Sequence, residues 1–193
     1  LAGEPHAFPH LENLRAIWSQ AASVRPDAWL LSGLVRLGAE EPRISQAAQA
    51  MGGYHAARLW LLSVHYRRPL EASEKTLAMW AANWRKLNEA AANLSHCATG
   101  AEGASAEAAD AVDALRQELD RAVSDDLALH RFWPHLFAFC RKANAAASPK
   151  RAAPADAAAY LEGLKAVDCV LGVMDQSQMP LPRADWPEEA AGM

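Results

Sequence analysis

Four consecutive residues, His65-Tyr66-Arg67-Arg68, place an imidazole, a phenol and two guanidinium groups side by side. That mixture suits contact with RNA, because guanidinium forks match phosphate oxygens and an aromatic face accepts a base. The competing reading is structural: Tyr66 buried, and the two arginines solvated or paired with Glu71 and Glu74. Other arrangements invite chemistry with less support. His6 and His10 stand four apart, the spacing of two metal ligands on one helix face. No Cys or acid falls at a suitable third position, however, and Pro9 lies between them, so they read as a surface or capping pair. Ser32, His65 and Asp27 are the residue types of a nucleophile, a base and an orienting acid, without a spacing that joins them. Trp80 and Trp84 sit at helical spacing and read as core packing, with base stacking as the alternative. Arg85, Lys86, Arg141 and Lys142 read as solvated helix faces.

These residues must be positioned by helices. The chain has 193 residues, 51% of them hydrophobic, enough for a sizeable core. A net charge of −4 gives no global attraction for nucleic acid, so RNA contact would need a local basic patch. Three scattered cysteines, Cys97, Cys140 and Cys169, read as reduced, partly buried thiols rather than a disulfide framework. No apolar run approaches a membrane span and no leader pattern opens the chain, so the default is a cytoplasmic soluble protein with no membrane partner.

Periodicity predicts a helix from about Ser73 to Leu94, with Leu77, Trp80, Trp84, Leu87, Ala91 and Leu94 on one stripe and Ser73 as N-cap. Leu11 to Ala22 reads as a helix with Leu14, Ile17, Trp18 and Ala21 on its apolar side. Ile44 to Met51 and Tyr54 to Val64 read as two helices parted by Gly52-Gly53. Residues 28–37 fit a strand, a hairpin around Ser32-Gly33, or a short helix. Ser95 to Ser105 reads as a linker. Three further helices are marked by Val112, Leu115 and Leu119; by Phe132, Leu136, Phe139, Cys140 and Ala143; and by Leu161, Leu164, Val167, Leu171 and Met174. Between the last two lies a loop from Ala145 to Ala155. The fold class expected is mainly α, a bundle of two helical units: 1–94, linker 95–105, 106–175, and an irregular tail 176–193 with three prolines.

Four collinear stretches resemble the cysteinyl-tRNA synthetase family. Phe8-Pro9-His10-Leu11-Glu12-Asn13 resembles its FPHHEN motif. Trp29-Leu30-Leu31-Ser32-Gly33-Leu34-Val35 is similar to a W-x-H-x-G-x-V strand. Arg58 through Leu70, with Ser73-Glu74, resembles its R-x-F-L-L-S-x-H-Y-R-S-P-L-x-x-S-E segment, where the catalytic domain passes into helices. Asp125-Asp126, Leu136-Phe137, Arg141, Asn144 and Leu171-Gly172 resemble its DALR-type helical domain. The resemblance implies that the chain starts late in the nucleotide-binding domain and covers the connective helices and most of the DALR-type bundle.

The family activates cysteine with ATP and transfers it to tRNA. The resemblance implies a zinc ion that selects the substrate thiol, bound by two cysteines upstream of FPHHEN, by that motif's first His, and by the Glu of HENE. Zinc suits the task because it binds deprotonated sulfur directly. Here His10 matches the ligand His, but Leu14 stands at the Glu position, and Leu11 and Leu31 replace two further histidines. Three leucines imply a pocket refilled as packing. The family's KMSKS loop stabilises phosphate charge with lysines. The corresponding stretch from Arg36 to Arg43 contains no Lys, and Glu40 and Glu41 would repel phosphate. The chain also begins too late to hold the family's HIGH motif.

The expectation is therefore a synthetase-like, non-catalytic helical module with no cofactor, its zinc and ATP sites lost. It would bind RNA, with tRNA as partner through His65, Tyr66, Arg67 and Arg68, or bind protein by self-association or a partner chain that covers exposed apolar faces. Two alternatives stand beside it. One is part of a split or truncated cysteine-tRNA ligase whose nucleotide-binding half lies elsewhere; the other is an unrelated helical interaction protein.

Overall fold

The computed structural model of the chain describes residues 2–3, 7–21, 31–37, 43–98, 103–148 and 153–175. In chain order the elements are β1 (Ala2–Gly3), a kinked turn (Ala7–Leu11) with Phe8 extended inside it, α1 (Glu12–Ala21), β2 (Leu31–Ser32), β3 (Val35–Leu37), α2 (Ile44–Met51), α3 (Tyr54–Leu61) and β4 (Leu70–Ala72). Then follow α4 (Glu74–Cys97), α5 (Ala106–Ser124), a 3-10 turn (Leu129–Arg131), α6 (Trp133–Ala146) and α7 (Pro154–Leu171). The mainly α expectation holds. No helix among the described residues is long and apolar enough to cross a membrane.

Local chemistry sets the helix ends. Ser73 caps α4 by accepting from the Thr76 amide at 3.2 Å, while Thr76 Oγ1 accepts from the Ser73 amide at 2.9 Å. This reciprocal box satisfies two amides that the first turn leaves unpaired. Helix α2 stops where Gly52 takes φ 95°, a left-handed conformation that costs glycine little. Helix α4 runs to Cys97, three residues into the stretch expected as linker. Helix α3 ends at Leu61, short of Val64, because the Ser63 amide tightens onto Trp60 O. The loop expected over 145–155 is shorter, since α6 reaches Ala146 and Pro154 opens α7. Proline is well placed there, at a position whose N–H has no helical partner.

The hairpin alternative for residues 28–37 is overturned; residues 28–30 lie outside the described residues. Strands β2 and β3 do not pair with each other. Strand β2 pairs parallel with β1, and β3 pairs parallel with β4, with Val35 opposite Leu70. Parallel pairing requires a crossover rather than a turn, and α2 and α3 supply it between β3 and β4.

Two buried clusters organise the helices. The first gathers Ala47, Ala48 and Met51 of α2, Ala56, Ala57 and Trp60 of α3, Leu70 and Ala72 of β4, and Leu77 and Ala81 of α4. The second gathers Leu59 with Leu87, Ala90, Ala91 and Leu94 of α4 and the inner faces of α5, α6 and α7. Helix α4 thus serves both clusters in turn, its stripe passing from one to the other, and Trp80 and Trp84 lie against both. Trp80 meets Trp133 edge to face at 6.5 Å, and the Trp84 indole donates to Val173 O at 2.9 Å. The two tryptophans are packing residues, as their spacing implied. Every residue marking α5, α6 and α7 in the sequence is buried.

Candidate functional site

The loop after α3 carries His65, Tyr66, Arg67 and Arg68, and two distant segments hold it. From one side comes the strand segment around Gly33. The Gly33 amide donates to Tyr66 O at 2.6 Å, and the Leu70 amide donates to Leu34 O at 2.9 Å. A Cβ on Gly33 would lie 2.4 Å from the carbonyl carbon and oxygen of Arg68, so only glycine permits this backbone approach. From the other side comes the turn at the end of α5. Asp126 accepts from the Tyr66 hydroxyl at 2.6 Å, from Arg67 Nε at 2.8 Å and from Arg67 Nη2 at 3.2 Å. His65 Nε2 lies 3.5 Å from the same carboxylate, and His65 Nδ1 accepts from the Arg67 amide at 3.3 Å. A neutral His65 that accepts at Nδ1 carries its proton on Nε2, toward Asp126.

The rings stack into a short pile. His65 lies over Tyr66 at 4.8 Å, and the Arg67 guanidinium sits 4.9 Å from the Tyr66 ring centre, an arrangement that favours the cation. His65 also meets His130 edge to face at 5.6 Å. Electrostatics follow from the geometry. The hydrogen bond from Arg67, then that from Tyr66, holds the Asp126 carboxyl down at about 2. The same bonds push Tyr66 and Arg67 up. His130 is pushed down by burial and by the neighbouring Arg131, His65 and Arg68. Asp125, next to Asp126, pairs with Arg131.

The four residues expected at the site are therefore brought to one loop, with Arg67 and Arg68 exposed and Tyr66 half-buried. The acid that pairs with Arg67 is Asp126, not Glu71 or Glu74. Nothing in local spacing singles out Asp126 as that partner; its only signal was the Asp-Asp pair itself. Asp27 and His6 lie outside the described residues, and with them the Ser32-His65-Asp27 set and the His6-His10 pair.

At the start of the chain, Leu11 is buried, but Leu14 is 41% exposed and Leu31 is half-buried. The expectation of a refilled pocket is corrected: among the three leucines, only Leu11 packs fully. Helix α1 has no buried residue, and Ile17 and Trp18 of its apolar stripe face outward. Leu14, at the position where the resemblance implies a zinc-ligating Glu, has no donor atom.

A second polar assembly fixes the end of α7. Buried Asp168 accepts from the Val173 and Met174 amides at 2.7 and 3.0 Å. Burial pushes its carboxyl up. Arg58 Nε donates to Leu171 O, the Trp84 indole reaches Val173 O, and Asn88 Oδ1 accepts from the Asp175 amide at 2.8 Å. This closing segment was legible only as Leu171-Gly172; its clamp was not.

A mainly α-helical protein with a cationic loop held between a strand segment and the turn after α5 is the class these observations define. No protein-family model matches the chain. It is similar to the cysteine–tRNA ligase of Geobacter sulfurreducens, 29% identical over 184 residues, which cover 89% of this chain and 38% of that protein. The cysteine–tRNA ligase of Parvibaculum lavamentivorans is 33% identical over 153 residues, covering 74% of this chain and 30% of its own. That of Staphylothermus marinus is 37% identical over 79 residues, 36% of this chain and 17% of its own. The chain is cysteinyl-tRNA synthetase-like over most of its length, and it spans less than two fifths of the length of these relatives.

Proposed function

We propose that this chain is a synthetase-like helical module that does not itself activate cysteine and that contacts RNA, tRNA foremost, through the loop from His65 to Arg68. The observation that carries the reading is the loop's setting. Its guanidinium groups are exposed, yet its backbone is held by the Gly33 amide on Tyr66 O and by the Leu70 amide on Leu34 O. A fixed cationic loop can orient phosphate without the entropy cost of ordering on contact. Leu14 in place of a zinc ligand and the absence of Lys from Arg36 to Arg43 support the non-catalytic part of the reading.

The test is retardation of purified bulk tRNA by the protein at low and moderate salt. Salt-sensitive binding that is weakened when Arg67 and Arg68 are changed to Ala supports the reading. No retardation at low salt overturns it in favour of a protein partner, for which the outward stripe of Ile17 and Trp18 on α1 is the surface to examine.

A second reading, one part of a cysteine–tRNA ligase, is favoured by the identity of the relatives and by the share of their length that the chain spans. Cysteine-dependent exchange of pyrophosphate into ATP tests the non-catalytic reading. Clear exchange by the purified chain sinks the non-catalytic reading.

A further inference from the structure

We propose that Asp126 is a built-in occupant of the anion fork formed by Tyr66 and Arg67, so that RNA binding exchanges this carboxylate for a phosphate group and displaces the turn 125–127. The inference rests on the RNA-contact reading and adds to it a self-masking step.

The donor set is the first argument. Asp126 is gripped by one phenol hydroxyl and by two nitrogens of one guanidinium. Planar N–H forks receive a carboxylate and a phosphate with the same geometry, so a fork that fits one oxyanion fits the other. The second argument is exchangeability. The Arg67 and Asp126 side chains are 59% and 48% exposed. Ion pairs this open to water are weak and salt-screened, so a competing anion can enter without unfolding a core.

The turn itself is the third. Asp126 and Leu127 take φ values of 53° and 55°, two consecutive left-handed residues of which neither is glycine. Aspartate tolerates that conformation; leucine does so at a cost, and strained turns of this kind accompany segments with two arrangements. The turn is closed by the Ala128 amide on Ala122 O at 2.7 Å and on Asp125 O at 3.1 Å. Its two carboxylates engage two arginines, Asp126 with Arg67 and Asp125 with Arg131. Among the described residues, Arg68 makes no ion pair. Three arginines meet two carboxylates here, so the resting patch carries a net charge of about +1, and moving the turn away leaves Arg67 as well as Arg68 without a carboxylate.

The experiment compares tRNA retardation by the wild-type chain, Arg68→Ala, Asp126→Asn, Arg67→Ala/Asp126→Asn and Asp120→Asn. Asp120 is an exposed residue of α5, so its change alters net charge equally without entering the fork. The expected result is that Asp126→Asn binds about two- to fivefold tighter than Asp120→Asn, the range an exposed ion pair allows. The gain disappears in the double variant. Asp126→Asn no tighter than Asp120→Asn, with both folded by circular dichroism, overturns the proposal. Should Asp126→Asn fail to fold, the Arg67 Nε resonance of the wild-type chain is followed by NMR during tRNA addition. A shift away from the carboxylate-paired position supports the exchange, and an unmoved resonance in an RNA-bound chain overturns it. Weaker binding by Arg68→Ala together with no gain in Asp126→Asn overturns the masking step alone. No retardation by any variant, Asp126→Asn included, overturns the RNA reading and the masking step together.

Discussion

Arg67 and Asp126, 59 residues apart in the chain, form a two-point ion pair through Nε and Nη2. The pair joins the loop that follows α3 to the turn that ends α5, and the Tyr66 hydroxyl reaches the same carboxylate. It therefore ties the connective segment to the helical bundle at the place where the exposed cations lie.

Acid should loosen this tie. The Asp126 carboxyl is held at about 2, below its ordinary 3.8, first by Arg67 and then by Tyr66. A carboxylate depressed on folding adds stability that is fully present above its unfolded value and is lost as pH falls through the folded one. The contribution should fade between about pH 4 and pH 2. Melting temperatures from pH 5 to pH 2 should therefore fall less steeply in Asp126→Asn than in wild type. Parallel profiles would refute the assignment.

Gly33→Ala should destabilise the protein, because the new Cβ meets backbone, not a side chain that can swing aside. Overpacking of this kind costs about 1–3 kcal/mol. Urea denaturation should show a lower midpoint with an unchanged slope, and tRNA retardation should weaken as Arg68 shifts. A midpoint equal to wild type would mean that the strand and loop can separate freely.

Asp168 should be needed as an acceptor more than as a charge. Asp168→Ala strands the buried Val173 and Met174 amides, at a cost of about 1–3 kcal/mol each way the loop relaxes. Asp168→Asn keeps an oxygen for them and should cost less. The raised carboxyl adds a pH signature. A carboxyl raised on folding favours the protonated folded state, so the wild type loses stability as pH rises from about 4 through the folded value. Asp168→Asn should lack that decline. Equal losses for the Ala and Asn variants would contradict the capping role.

The thiols should differ in reactivity. Burial pushes Cys140 up to about 12, whereas Cys169 is exposed on α7. Because the thiolate is the nucleophile, iodoacetamide at pH 8 should label Cys169 first and Cys140 only in denaturant. Mass mapping of a native time course checks the order; early labelling of Cys140 would show that α6 opens.

Much of the secondary structure follows from local chemistry, and that part was legible from residue types alone. The stripe from Leu77 to Leu94 requires only that a helix turn every 3.6 residues and bury one side. Ser73 and Gly52 end helices through their own side-chain oxygen and left-handed backbone. The resemblance carried by residues 58–70, and the leucines at 11, 14 and 31, likewise stand in the sequence. The fate of those leucines does not: Leu11 is buried and Leu14 is exposed, because burial depends on what else the fold brings near. The same holds for β3, whose partner is β4 across two helices rather than its neighbour β2. His65, Tyr66, Arg67 and Arg68 were identifiable as a cationic loop, but their acid was not. A carboxylate 59 residues away has no periodic or spacing signal, and only the packing of α5 against α6 and α7 carries Asp126 to Arg67.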